Sequence, residues 1–222
     1  MVPNVIIVGA DKGGVGKSFI SRALLDYLKT HNKSYRAFDT EFPVGNLHRF
    51  FPAAEIVDLT VSDDQMKVFD NLQLASTTVI DVRAGLLSPT LKILGEIGFF
   101  DLMKNGKIKI IVFHVVGSTI SSLNEIKATA AAMSLASHYV IKNHTNDAAF
   151  FEGMDDVAKD MFNNNIVLDI PKLDERATEY VEASSQPFSM FMDDDSKSWV
   201  LRGKVRFWLD NVYHQFDLVK LD

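Results

Sequence analysis

Residues 11–18 read Asp-Lys-Gly-Gly-Val-Gly-Lys-Ser, just after the apolar run Val5-Ile6-Ile7-Val8 and directly before Phe19-Ile20. A strand, a glycine-rich turn and a helix in that order make a phosphate-binding loop, in which backbone N–H groups and the helix N-terminus surround anionic oxygens. Gly13, Gly14 and Gly16 allow close backbone approach because no Cβ intervenes. Lys17 brings a point charge to the β- and γ-phosphates, and Ser18 a hydroxyl to Mg²⁺. Asp11 stands where the general G-x-x-x-x-G-K-[ST] pattern has its first glycine. The loop instead fits the deviant form K-G-G-x-G-K-[ST], with a second lysine, Lys12. The predicted chemistry is binding of a nucleoside triphosphate with Mg²⁺, and the candidate contact set is Asp11, Lys12, Gly13, Gly14, Val15, Gly16, Lys17, Ser18 and Phe19.

Phosphoryl transfer further needs a metal site and an ordered water, so acids at strand ends come next. Asp81 closes the run Thr77-Thr78-Val79-Ile80, where a carboxylate reaches a magnesium or its waters from the neighbouring loop. Asp39 and Glu41 end another strand two residues apart, which in extended backbone puts both on one side. The metal candidates are therefore Ser18, Asp39 and Asp81, and the catalytic acids Asp39 and Glu41, one facing the metal shell and the other the attacking water.

These residues need elements to hold them, and the pattern along the chain supplies β-α units. Strands are expected over residues 5–9, 34–39, 77–82, 107–116, 137–142 and 165–170. Helices are expected over 17–30, 88–103 (Ser88 as N-cap, Pro89 at N1), 121–134, 174–184 and 196–216. The fold class is α/β: a single-domain, doubly wound, mostly parallel sheet flanked by helices, spanning residues 1–222. The 222 residues suffice to bury a proper core. No apolar run is long enough to span a membrane, and residues 5–8 are too short for a signal-peptide core, so a cytoplasmic protein is expected. Zero cysteines exclude disulfides and thiolate metal sites. A net charge of -6 argues against whole-protein affinity for nucleic acid, though not against a local basic patch. His31, His48, His114, His138, His144 and His214 show no metal spacing and read as structural.

Lys12-Gly13-Gly14-Val15-Gly16-Lys17-Ser18 resembles the fingerprint of the ParA/MinD family of deviant-Walker-A P-loop ATPases. The likeness runs on through the chain in order. Asp39-Thr40-Glu41-Phe42-Pro43 sits where the family has its D-x-D switch I motif, and Val79-Ile80-Asp81 at its third motif strand. Val140-Ile141-Lys142-Asn143 resembles the strand ending in an adenine-reading asparagine. Ile170-Pro171 and Ala177, with Ser185-Gln186-Pro187, resemble the segment beside the base. Within the family, the short length, Lys17-Ser18-Phe19 and Phe38-Asp39-Thr40 look most like plasmid-borne accessory ATPases of the TraL/StbB type. The resemblance implies ATP and Mg²⁺ as cofactors, with Asn143 and Pro171 at the base. It also implies a homodimer that forms on ATP, in which Lys12 acts catalytically across the interface. Slow hydrolysis would time a switch that positions cargo through a protein partner, with plasmid DNA involved directly or indirectly.

Three positions depart from the family pattern: Glu41 where Asp is usual, Arg83 two residues after Asp81, and Asp11 near the phosphates. Along residues 199–216, Leu201, Val205, Trp208, Leu209, Val212 and Phe216 form one stripe, with Arg202, Lys204 and Arg206 beside it. Such a stripe suits a membrane-surface helix, but the acidic run Asp193-Asp194-Asp195 opposes an anionic membrane, and packing onto the sheet is the expectation. The Phe99-Phe100 and Phe150-Phe151 pairs are expected in the core or an interface. The alternative function is a metabolic P-loop enzyme, such as a small-molecule kinase or amidoligase. Lys12 and the short chain, which leaves little room for a substrate lobe, favour the switch.

Overall fold

Parallel strands covered on both faces read as near-continuous apolar runs, and the runs of this chain assemble in that way. The computed structural model describes residues 2–10, 13–116, 121–145, 166–219 and 221, with only the backbone given for 121–125 and 127. Asp11, Lys12 and the pair Phe150-Phe151 lie outside the described residues. The strands are β1 (Asn4–Gly9), β2 (Tyr35–Asp39), β3 (Glu55–Ile56), β4 (Thr77–Asp81), β5 (Lys109–Val116), β6 (Ser137–Asn143) and β7 (Ile166–Ile170). They form one sheet in the order β3-β2-β4-β1-β5-β6-β7, and every pairing is parallel.

Among the described residues the α-helices are α1 (Lys17–Thr30), α2 (Ser62–Phe69), α3 (Leu87–Glu96), α4 (Phe99–Lys104), α5 (Ser121–Ala132), α6 (Glu175–Ser184), α7 (Phe188–Asp193) and α8 (Trp199–Phe216). Alternate residues of each strand point to opposite faces, so the sheet divides the core in two. Ile6, Val8 and Phe113 pack with α1, α6, α7 and α8 on one face. Val5, Ile7 and Val112 pack with α2, α3 and α4 on the other. The stripe Leu201, Val205, Trp208, Leu209, Val212 and Phe216 of α8 is buried in the first of these cores. No helix among the described residues is long and apolar enough to cross a membrane.

The stretch 88–103, expected as one helix, is two. Gly98 takes φ 83° between α3 and α4, a left-handed conformation that ends one helix and starts the next. The first of them begins at Leu87 with Leu86 as N-cap, so Ser88 lies inside the helix instead of capping it. Pro89 is still in the first turn, where its missing N–H has no intrahelical partner to lose. Strand β3 and helices α2 and α7 add to the expected set.

Helix α7 is tied down by a carboxylate 162 residues away. Asp26 of α1, fully buried, accepts the Phe188 N–H at 2.8 Å and the Ser189 N–H at 3.4 Å, together with the Ser189 hydroxyl. Asp26→Ala leaves these donors without an acceptor and is expected to lower unfolding free energy by about 2–3 kcal/mol, read by urea denaturation.

Candidate functional site

Strand β1 lies between β4 and β5, where chain connections depart in opposite directions, and ligands of open α/β sheets bind outside the strand C-termini at such a point. The loop after β1 turns through Gly14 at φ 79° and Gly16 at φ 88°. A Cβ at Gly16 would sit 2.2 Å from Asn143 Nδ2, so both the φ and the space there require glycine. Gly16 is the N-cap of α1 and has no side chain to satisfy the first N–H groups, which leaves that helix end able to hold an anion. A cavity of about 330 Å³ opens over it. Gly13, Gly14, Gly16, Lys17, Ser18 and Phe19 line one side, and Glu41, Asn46 and Ala84 the other. Lys17 is 8% exposed, so its ammonium is held inside the cavity wall.

The two strand-end aspartates sit side by side, since β2 and β4 pair with Asp39 opposite Asp81. Both are buried beneath the cavity. Asp39 organises the loop that follows it. Its Oδ1 accepts the Glu41 N–H at 2.9 Å, and its Oδ2 accepts the N–H groups of Leu47 at 2.6 Å and His48 at 3.1 Å. Three backbone donors therefore engage the carboxylate that sequence pattern assigns to metal or catalysis. Asp81 is different. Its Oδ1 has no hydrogen-bond partner among the described residues. Burial pushes its pKa up from 3.8 to about 7; the Ser18 hydroxyl opposes this, the nearby Asp39 adds to it, and Lys17 pulls it back. An orphaned, buried carboxyl oxygen beside the loop serine is a donor set that suits a hard divalent cation such as Mg²⁺. Glu41 reaches the cavity itself, where its Oε2 accepts from Asn46 Nδ2 at 2.7 Å. The two acids of the Asp39-x-Glu41 pair thus part company: one anchors the loop from below and the other lines the open space.

Arg83 contributes through its backbone, its N–H donating to Thr40 Oγ1 at 2.8 Å and so joining the loops after β2 and β4. Val15 is buried, and Asn143 is turned onto the loop, donating from Nδ2 to the Val15 carbonyl at 3.0 Å. Its amide braces the phosphate loop in this state, and reading a base would require that bond to be released. Pro171 is not part of the cavity. Its carbonyl accepts the Trp208 Nε1–H at 2.7 Å, and its ring lines a separate cleft with Lys204 and Phe207. Phe19 lines the cavity and also packs against Phe188 and Trp208, at ring centroid distances of 5.1 and 5.0 Å.

Six cavity residues are not singled out by the sequence pattern: Arg22, Asn46, Arg49, Phe50, Ala84 and Glu182. Arg22 lies one helical turn beyond Ser18, a spacing that places it on the same face of α1 and could have found it. It is fully buried, with its guanidinium 3.4 Å from the Phe50 ring centroid and 4.4 Å from that of Phe188, and it pairs with Glu182. Arg49 donates to the Glu182 carbonyl at 2.6 Å and to Ser185 Oγ at 2.9 Å. These contacts join the loop after β2 to α1 and α6. The buried His114 and the partly buried His138 form their own pair, Nε2 to Nδ1 at 3.0 Å, and burial drives His114 down to about 3, so it is neutral at physiological pH.

No family model matches the chain, and no curated protein does. Solved structures do. The septum site-determining protein MinD of Pyrococcus horikoshii, solved with Mg-ADP, superposes with a TM-score of 0.58 at 15% identity, covering 100% of this chain and 97% of that one. MinD of Aquifex aeolicus gives 0.56 at 14% identity, with 94% and 97% covered. A protein assigned to plasmid partition in Borrelia burgdorferi, solved with AMPPNP, gives 0.56 at 12% identity, with 97% and 99% covered. The fold is shared with these proteins. The chain is an α/β P-loop fold, with an all-parallel seven-stranded sheet among the described residues.

Proposed function

We propose that this protein is a nucleotide-dependent switch of the ParA/MinD kind, which binds ATP with Mg²⁺, dimerises on binding and hydrolyses slowly. The observation that carries the reading is the single cavity that joins the loop glycines, Lys17 and Ser18 to Glu41, above the buried Asp39–Asp81 pair. In this reading the loop N–H groups and Lys17 hold the phosphates, and Ser18 and Asp81 hold the cation. Asp39 shapes the loop from below, and Glu41 orients the attacking water. Mg²⁺, when bound, neutralises charge between the β- and γ-phosphates. Asn143 and Pro171 are the residues proposed for the adenine, on the strength of the family resemblance.

A dimer face is supported by the tip of the loop after β2, where Phe42 is 58% and Val44 78% exposed beside the cavity. Exposed apolar groups at the rim of a charged site suit a surface that closes against a partner. Lys12, outside the described residues, is the proposed trans-acting group, because an ammonium beside a triphosphate is strongly favourable only once water is excluded. The cargo role, through a protein partner and with plasmid DNA bound directly or indirectly, extends the same reading, as does the plasmid-borne accessory class.

The runner-up, a metabolic P-loop enzyme, is favoured by one feature: the guanidiniums of Arg22 and Arg49 in the cavity wall, which could meet an acidic substrate. Both are engaged already, by Glu182, Ser185 and aromatic rings, and Arg22 is sealed beneath Phe50. The switch reading is therefore preferred.

Light scattering separates the two. The wild-type protein at tens of micromolar is expected to double its mass with ATP and Mg²⁺ and to stay monomeric with ADP or without nucleotide. Lys12→Ala should bind ATP as wild type does while losing the mass change. A wild-type protein that stays monomeric when saturated with ATP and Mg²⁺ overturns the switch.

A further inference from the structure

The loop after β2 holds two polar side chains, Glu41 and Asn46, five residues apart, that meet across the cavity mouth. Their backbones are pinned by one buried group. Asp39 takes the N–H of Glu41 on one oxygen and the N–H of Leu47, the neighbour of Asn46, on the other. The Gly45 N–H donates to the Glu41 carbonyl at 2.8 Å, which closes the loop between them. Gly45 has φ 72°, and a Cβ there would lie 2.8 Å from Ile56 Cδ1, so this tight return is reserved for glycine. The constrained backbone fixes where the two side chains start, so one hydrogen bond between them can set the geometry of both.

We infer that Asn46 is a positioning residue, which acts through Glu41 to hold the water-orienting carboxylate over the phosphate loop; this rests on the ATPase reading. The amide donates from Nδ2 to Oε2 at 2.7 Å. That contact fixes the rotation of the carboxylate and leaves Oε1 available to accept from a water. Glutamate carries one methylene more than aspartate and has more rotamers to restrict, so a longer acid at this position needs an external partner to be held in place. Asn46 supplies that partner from the same loop. Its amide is committed to Glu41, so it is expected to act on turnover rather than on nucleotide affinity.

The test uses the full chain and four variants: Glu41→Gln, Asn46→Ala, Asn46→Asp, and Glu41→Gln combined with Asn46→Ala. Steady-state ATP hydrolysis gives kcat and KM, and titration calorimetry gives ATP affinity. Asn46→Ala is expected to lower kcat by about tenfold or more, the scale of a misplaced reacting group, with KM and affinity within about twofold of wild type. Asn46→Asp is nearly isosteric but sets a carboxylate against Glu41, and should fall below Asn46→Ala with an unchanged melting temperature. A residue that mattered only for loop packing would rank these two the other way. In the Glu41→Gln background, adding Asn46→Ala should change kcat by less than about twofold, because the group it positions has been replaced. Wild-type turnover in Asn46→Ala, or an equal loss in both backgrounds, overturns the inference while a slow Glu41→Gln keeps the ATPase reading intact. If Glu41→Gln turns over as wild type, or the wild-type protein hydrolyses no ATP, the role of Glu41 falls and the positioning role with it.

Discussion

Asp81→Asn is expected to stabilise the nucleotide-free protein above pH 7 while removing its dependence on Mg²⁺. Asp81 is 3% exposed, and its pKa rises from 3.8 to about 7, chiefly because burial disfavours the charged form. The sign follows from proton binding. Unfolded, the carboxyl gives up its proton near pH 4; folded, it keeps it until about pH 7. Between those values the native state binds more protons, so the free energy of unfolding contributed by this group falls as pH rises. The cost of folding around the charge is absent below about pH 4 and complete above about pH 7. Each pKa unit corresponds to about 1.4 kcal/mol, so the rise from 3.8 to about 7 makes the full cost on the order of 4 kcal/mol. Asparagine carries no charge to bury, and the stability difference between variant and wild type should therefore open from pH 4.5 to pH 8. Urea denaturation at several pH values in the absence of nucleotide measures it, and a difference that stays flat across that range would refute the argument. Calorimetry with and without Mg²⁺ should then show ATP affinity in the variant that no longer responds to the cation. A buried acid with one oxygen left unpaired thus lowers the stability of the nucleotide-free protein once it is charged.

Lys17→Ala is the variant expected to cost most in binding. The lysine is the first residue of α1, where the N–H groups and the dipole already favour anions, and its ammonium lies in the cavity wall. A charge-assisted contact to phosphate in so enclosed a place should be worth about 3 kcal/mol or more, a loss of at least about 100-fold in affinity for ATP. The apo fold should not suffer. Relief of a cation at a helix N-terminus, about 0.3–1 kcal/mol, opposes the loss of the attraction between Lys17 and Asp81, so the melting temperature of the nucleotide-free protein should change little. Titration calorimetry reads the first effect and thermal melting the second. Equal ATP affinity in the variant would mean that the cavity over Gly16 is not where the triphosphate binds.

The parts of this protein that were legible in the sequence are those whose physics is local. The loop from Gly13 to Ser18 is contiguous, and its shape rests on backbone freedom and the helix that follows, both written in consecutive residues. The strands were legible because parallel strands buried on both faces become continuous apolar runs, and the inward stripe of α8 because one helix face repeats every turn. Local pattern failed where a single backbone angle intervened: Gly98, at φ 83°, divides an otherwise periodic stretch. It also failed for β3, whose two residues are too few to carry a period.

What only the tertiary structure decided is how the site is divided among its acids and what encloses it. Asp39 and Glu41 are equivalent by spacing; the fold of the loop makes one a buried clamp on three N–H groups and leaves the other in the cavity. Asp81 acquires its raised pKa from burial beside Asp39 on the adjacent strand, a pairing between residues 42 apart. Arg22 meets Glu182 across 160 residues, and Arg49 meets the end of the same helix across 133. The glycine turn and the start of α1 could be read from the chain because one segment supplies them. The enclosure and the placing of Glu41 in the cavity could not, because they depend on hydrogen bonds and ion pairs whose partners meet only when the sheet has brought the loop after β2, α1 and α6 together.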